Sequence, residues 1–187
     1  GTPPKEPWTY SKSFLDEFRA DDEMRYKLMP YIYAQAKQSS ENGLPMLRAL
    51  FVEFPEDAGA WNVEDEYLFG SDILVAPFFQ DSTYERDVYL PGGKWINYQS
   101  GEVYEKGWHH LKGGKIPIVI LVRDGAVIPH AKLAQSTKDI DWNDLQLTVY
   151  SATNSTAKGL VFLPGDSSLH QINLNATGGK YMLANDP

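Results

Sequence analysis

Cysteine is absent from all 187 residues. That excludes disulfide staples, thiolate nucleophiles and zinc sites built on thiolates. It leaves the compartment open, because a reducing cytosol suits such a chain and so does a periplasmic or secreted setting in which the core alone supplies stability. Positive charge is scarce: 17 Lys and Arg stand against 25 Asp and Glu, a formal net charge of −8. Neutralising phosphates needs a basic patch, so no nucleic-acid partner is expected. No stretch reaches the roughly 20 apolar residues of a membrane span, and Gly1-Thr2-Pro3-Pro4-Lys5 lacks the features of a signal peptide. The opening reads as a cut from a longer chain. Also missing are the nucleophile elbow Gly-x-Ser-x-Gly, the dinucleotide fingerprint Gly-x-Gly-x-x-Gly and a phosphate loop. Gly92-Gly93 and Gly113-Gly114 lie beside lysines, but their context is strand-turn-strand, with no helix N-terminus to hold a phosphate.

What is present suffices for a core, since 42% of residues are apolar and 13% aromatic, well above the range of disordered chains. A helical period occurs only near the start, in Phe14, Leu15 and Phe18 and then Met24, Leu28, Ile32 and Ala36. Asp21 and Asp22 are candidate caps for the longer stretch, Pro30 should kink or restart the helix, and Gly43 is a natural stop. Beyond Gly43 the pattern changes to short apolar or alternating runs between Gly, Pro, Asn and Asp clusters, the signature of an all-β unit. Strands are expected at 47–54, 73–79, 85–90, 94–98, 102–106, 116–122, 126–128, 146–150, 159–163 and 169–174. Leu90-Pro91-Gly92-Gly93-Lys94-Trp95 reads as a hairpin turn. A polar stretch from Ala131 to Asp144 reads as a linker, followed by a second β segment that looks too short to close its own core. Two N-glycosylation acceptor patterns, Asn154-Ser155-Thr156 and Asn175-Ala176-Thr177, lie in that segment.

Side chains that could carry chemistry are few. Glu64-Asp65-Glu66 near Trp61 is the densest acidic cluster. An acid pair beside an aromatic is what glycoside cleavage uses, because one acid protonates the leaving oxygen while the other attacks or activates water. Adjacent acids between strands are more often a solvated turn, and that reading is favoured here. His109 and His110 are neighbours on a strand and so point to opposite faces, unsuited to one shared ion. His130 and His170 each read as surface or hydrogen-bonded histidines. No metal and no other cofactor is expected. Five Trp and eleven Tyr could stack on sugar rings, although strands recruit aromatics for packing alone.

Several ordered motifs together carry a resemblance. Arg25-Tyr26-Lys27-Leu28-Met29-Pro30-Tyr31-Ile32-Tyr33 is followed by Gly43-Leu44-Pro45-Met46-Leu47-Arg48-Ala49-Leu50-Phe51 and Glu53-Phe54-Pro55-Glu56-Asp57. Then come Tyr67-Leu68-Phe69-Gly70-Ser71-Asp72-Ile73-Leu74-Val75-Ala76-Pro77, Val88-Tyr89-Leu90-Pro91-Gly92-Gly93-Lys94-Trp95 and Ile116-Pro117-Ile118-Val119-Ile120-Leu121-Val122-Arg123-Asp124-Gly125-Ala126-Val127-Ile128-Pro129. This series, from Pro7 to Pro129, resembles glycoside hydrolase family 31.

The resemblance implies an enzyme of α-glucosidase or α-xylosidase type whose (β/α)8 barrel is followed by two β-domains. The fold class expected is therefore mainly β: a β-sandwich preceded by the last helix region of a barrel, with the start of a second β-domain. Residues 1–42 would be the end of the barrel, 43–130 the proximal sandwich, and 131–187 the linker and part of the distal domain. Barrel enzymes keep their chemistry at the carboxyl ends of several strands, and the family's two catalytic Asp residues lie on strands that would precede Gly1. No catalytic residue is assigned in this chain. Trp8 and Tyr10, on a loop that prolines hold extended, would line the barrel mouth and touch substrate. The implied partners are the missing N-terminal and barrel parts of the same enzyme and, through them, an oligosaccharide. The alternative reading is a carbohydrate-binding β-sandwich module. If the chain is a remnant, the face of the Met24–Ala36 helix that the barrel would cover should be bare.

Overall fold

The computed structural model describes residues 5–153, 155–178 and 180–183. Two helices lead. Ser11 caps α1 (Lys12–Lys27), its Oγ accepting the Phe14 N–H at 3.2 Å. Asp21 and Asp22 are not caps: they lie inside α1, where Asp22 instead accepts from Arg25 at 2.7 Å, one turn on. Pro30 does restart the helix. It occupies the first turn of α2 (Met29–Asn42), where a missing N–H costs no hydrogen bond. Gly43 ends α2 in the left-handed conformation at φ +76°, its N–H reaching Ser39 O at 2.9 Å.

The rest is mainly β. In chain order the elements are β1 (Leu47–Arg48), a single helical turn α3 (Leu50–Glu53), β2 (Tyr67–Phe69), β3 (Ile73–Ala76), β4 (Glu85–Leu90), β5 (Trp95–Asn97), β6 (Val103–Tyr104), β7 (Gly107–Lys112), β8 (Val119–Arg123), β9 (Ala126–His130), β10 (Gln146–Tyr150), β11 (Thr156–Val161), β12 (His170–Thr177) and β13 (Lys180–Leu183). The first sheet has the order β1-β2-β3-β8-β5-β6, the second is the ribbon β4-β7, and the third has the order β10-β9-β11-β12-β13.

The first sheet is covered on both sides, which is why β3 and β8 read as unbroken apolar runs. Leu74, Ala76, Val119 and Leu121 face the ribbon and join Val88, Leu90, Trp95 and Leu111 in one core. Ile73, Val75, Ile120 and Val122 face the other way and pack on Leu28 and Tyr31 of the helical layer. A smaller cluster of Val127, Ala157, Ile172 and Leu174 belongs to the third sheet.

Several local expectations change. Residues 47–54 do not form one strand, because α3 turns the chain so that Leu50 and Phe54, four apart, enter the same core. Leu90 to Trp95 is not a hairpin. β4 pairs with β7, while β5 pairs with β6 and β8. The Pro and Gly residues form a corner between two sheets, fastened by the Trp95 indole N–H donating to Pro91 O at 3.1 Å. β7 escapes the hydrophobic pattern because only Leu111 within it is buried. The Met24–Ala36 face is not bare either: Leu28 is buried and Met24 and Ile32 are partly buried against the sheets of this same chain, while Ala36 stays exposed. The stretch from Ala131 to Asp144 carries no strand, and β9 pairs with both β10 and β11 beside it.

Helix and sheet layers meet closely at Gly70, which lies at φ +70°. A Cβ there would collide with the Tyr31 hydroxyl and come within 2.7 Å of the Gln35 side chain. Gly70→Ala is expected to cost roughly 2–4 kcal/mol, from left-handed strain plus overpacking. Gly92→Ala, where nothing lies within 4 Å, should be nearly neutral. Urea unfolding of the two variants checks this, and equal midpoints would contradict it.

Candidate functional site

Trp8 sits in a single 3-10 turn (Pro7–Thr9) and is 73% exposed; Tyr10, just beyond it, is 51% exposed. The neighbouring Pro3 and Pro4 lie outside the described residues. Tyr10 is not isolated. Its ring lies 4.7 Å from that of Phe14, which in turn lies 6.2 Å from that of Phe18. Four-residue spacing puts Phe14 and Phe18 on one face of α1, and both are exposed. The result is a bare aromatic edge made by the loop and the first helix. Phe14 and Phe18 were legible as a helical period, but nothing in that period distinguishes a face that packs inside the chain from one that does not.

The acidic cluster separates. Glu64 and Asp65 are exposed, as a solvated turn requires, but Glu66 is only 4% exposed and overturns that reading for itself. Its Oε1 accepts the Tyr89 N–H at 2.8 Å and lies 3.8 Å from the Arg86 guanidinium. Its Oε2 is buried with no hydrogen-bond partner. Burial pushes the Glu66 carboxyl up to about 7, opposed by the Tyr89 N–H and the Arg86 charge. Arg86 is itself held by the carbonyls of Asp65, Pro77 and Asp87 and by an ion pair with Asp65. Trp61 does not join the acids, since its indole N–H donates to Pro55 O and its ring stacks on Phe51 at 4.8 Å. Glu66 is thus a sealed packing carboxyl, with no face open to a substrate.

The histidines also separate. On β7, His109 meets Glu105 O at 2.7 Å and His110 meets Asp87 at 2.8 Å. His170 meets Asp166 at 2.7 Å. Among the described residues no three His, Asp or Glu side chains converge in a way that could hold a metal ion. His130 is buried, with Tyr98 Oη 2.9 Å from Nε2 and Thr148 Oγ1 3.2 Å from Nδ1. It stands at the inner wall of a cleft of about 540 Å³ between the end of α1, β9 and β10, with Tyr98 and Tyr150 also lining it.

The motif residues that define the sequence gather elsewhere, at the junction of helix and sheet. Tyr31 donates to Phe69 O at 2.8 Å and accepts the Asp72 N–H at 3.2 Å, while Gln35 Oε1 accepts the Ser71 N–H at 3.1 Å. Arg123 donates twice to Ser71 O, at 3.1 and 2.8 Å, and lies over the Phe54 and Trp95 rings. Glu53 bridges Arg123 to the buried Arg48. These residues bind one another and build the domain.

A double-faced sheet flanked by a ribbon and two helices, with the signature residues spent on its interior, defines a mainly β domain. Residues 43–128 match the glycosyl hydrolase family 31 C-terminal domain. The chain belongs to glycoside hydrolase family 31. It is similar to alpha-glucosidase 2 of Bacillus thermoamyloliquefaciens, 30% identical over 84% of this chain and 20% of that protein. It is also similar to an alpha-xylosidase of Saccharolobus solfataricus, 32% identical over 81% of this chain and 21% of the relative. A Flavobacterium johnsoniae GH31 dextranase, solved in complex with glucose, shares the fold with a TM-score of 0.83 at 24% identity, over 99% of this chain and 26% of its own. The chain spans about a fifth of the length of the curated relatives it matches.

The Glu66 carboxyl generates a pH prediction. Its value is raised in the folded state, so the folded protein holds this proton where the unfolded chain has released it. The contribution is full below the ordinary value of 4.5 and is lost as pH rises through about 7. Glu66→Gln should remove this dependence. The variant should gain about 2–3 kcal/mol relative to the parent between pH 5 and pH 8, read as the difference in urea-unfolding free energy at the two pH values. A constant difference would contradict the assignment.

Proposed function

We propose that this chain is the C-terminal supporting part of a retaining α-glycosidase that hydrolyses α-glucosides or α-xylosides. In this reading residues 1–42 end the catalytic barrel, 43–130 form the proximal sandwich, and 131–187 are the linker and start of the distal β-domain. The observation that carries it is the bare edge of Tyr10, Phe14 and Phe18 on a helix, α1, none of whose residues is buried within this chain, in a chain that matches only about a fifth of its relatives' length. An apolar edge of this kind calls for a covering surface, and the remaining four fifths of such an enzyme would supply it. Support also comes from the family match and from relatives named alpha-glucosidase and alpha-xylosidase.

The chemistry assigned to the whole enzyme is double displacement with retention. One carboxylate attacks the sugar while a second acid, about 5–5.5 Å away, protonates the leaving oxygen; the second then activates water to release the glycosyl intermediate. Both acids would lie in the part upstream of Gly1. This chain would hold the barrel's last helix in place and bring Trp8 and Tyr10 to the wall of the substrate mouth. No cofactor enters the scheme.

Assayed alone on 4-nitrophenyl α-glucoside and α-xyloside, the chain should give no turnover above a matched control in which its exposed acids are changed to amides. Turnover that such changes abolish would sink the claim that the acids lie upstream. The chain should also bind a hydrophobic dye and self-associate, and the pair Phe14→Ser with Phe18→Ser should reduce both while leaving the circular dichroism unchanged. Dye binding and association that persist unchanged would move the covering surface elsewhere.

A further inference from the structure

The cleft behind His130 is unexplained by a supporting role. Tyr98 and Tyr150 stack with ring centroids 6.0 Å apart and 16° between planes, giving an aromatic wall. Around it stand Lys27, Lys132, Asp144, Gln146 and Thr148. A volume near 540 Å³ with an aromatic wall and a few converging polar groups is the form of a small-molecule site. We propose that this cleft binds a neutral saccharide, with the Tyr98–Tyr150 wall against the sugar ring and Gln146 and the Thr148–His130–Tyr98 relay reading its hydroxyls.

Hydrogen-bond arithmetic supports a hydroxylated ligand. A neutral imidazole donates from one nitrogen and accepts at the other. If Tyr98 O–H donates to Nε2, then the Nδ1 hydrogen goes to Thr148 Oγ1 or the Ile128 carbonyl, and the threonine hydrogen is left for a ligand. With the other tautomer, Tyr98 has the hydrogen to spare. Either way the relay ends in one available hydroxyl donor. Gln146, exposed at the rim, adds both a donor and an acceptor.

Charge argues against an anion. Lys132 is paired with Asp144 across the rim. Burial, opposed by a hydrogen bond with the Ile128 backbone and aided by the nearby Lys27, lowers the His130 value below its ordinary 6.5, which favours the neutral ring. One unbalanced lysine beside a neutral imidazole is a poor phosphate site, whereas mixed donors and acceptors on an aromatic wall suit a sugar.

The test is calorimetry and amide NMR on the 187-residue chain at pH 7, titrated in turn with maltotriose, isomaltotriose and inorganic phosphate. Saturable binding of one of the sugars is expected, with shifts in residues 130–132 and 146–150 and no competition from phosphate. Gln146→Ala and Thr148→Val, both outside the cores, should each weaken binding about fivefold with the dichroism unchanged. No saturable sugar binding would overturn the proposal, as would phosphate displacing the sugar, shifts confined to the Trp61 or Tyr10 surfaces, or full affinity in both variants. The reading of the chain as a glycosidase's supporting part rests on other residues and would survive each of those results.

Discussion

The turn Gly70-Ser71-Asp72 is the point at which the helical and β layers are fastened, and the rest of the structure depends on that grip. Tyr31 and Gln35 of α2 hold its backbone from one side, and Arg123 of β8 holds it from the other. Glycine is required at its head because the helix side chains approach where a Cβ would stand. Asp72 is partly buried; burial pushes its carboxyl up, and the Ser71 hydroxyl and Arg123 charge hold it down. Arg123 continues to Glu53 and Arg48, so one chain of charges ties β1, α3 and β8 together. Partly buried charges of this kind add little net stability over apolar packing, but losing one partner leaves Arg48, the buried member, unpaired, which fixes the arrangement.

Around that grip the molecule is a sheet used on both faces. The alternation along β3 and β8 sends Leu74 and Leu121 towards the ribbon and Ile73 and Val122 towards the helices. The two cores therefore share strands, and neither layer can move without disturbing the other. This accounts for how much of the Met24–Ala36 face is used within the chain. An unused apolar edge lies earlier, on α1, where the exposed Phe14 and Phe18 stack in line with Tyr10.

Much of the fold was legible because its signals are local. The change from helical to strand periodicity at Gly43, the restart at Pro30, the apolar runs of β3 and β8 and the strandless stretch after Ala131 all follow from short-range chemistry. Features that depend on a partner were not. Leu90 to Trp95 has the residues of a tight turn, but whether the flanking strands pair is decided by β7 and β8. Asp21 and Asp22 have cap chemistry, yet Ser11 begins the helix ten residues earlier. Glu66 looks like its exposed neighbours in the sequence and is buried because β4 lays Tyr89 and Arg86 over it. His130 reads as one more histidine until Tyr98 and Thr148, far apart in the chain, meet it on both sides.

By itself the sequence determined the family, through ordered motifs, and the mainly β class, through periodicity, since both are written in residues near one another. The absence of cysteine likewise excluded thiol chemistry without any structure. Only the tertiary structure decided what the motif residues do, because Gly70, Asp72 and Arg123 acquire their roles from residues roughly thirty to seventy positions away. It also decided which apolar helix face is satisfied and which is bare. Periodicity specifies that a face exists, and only packing specifies what covers it.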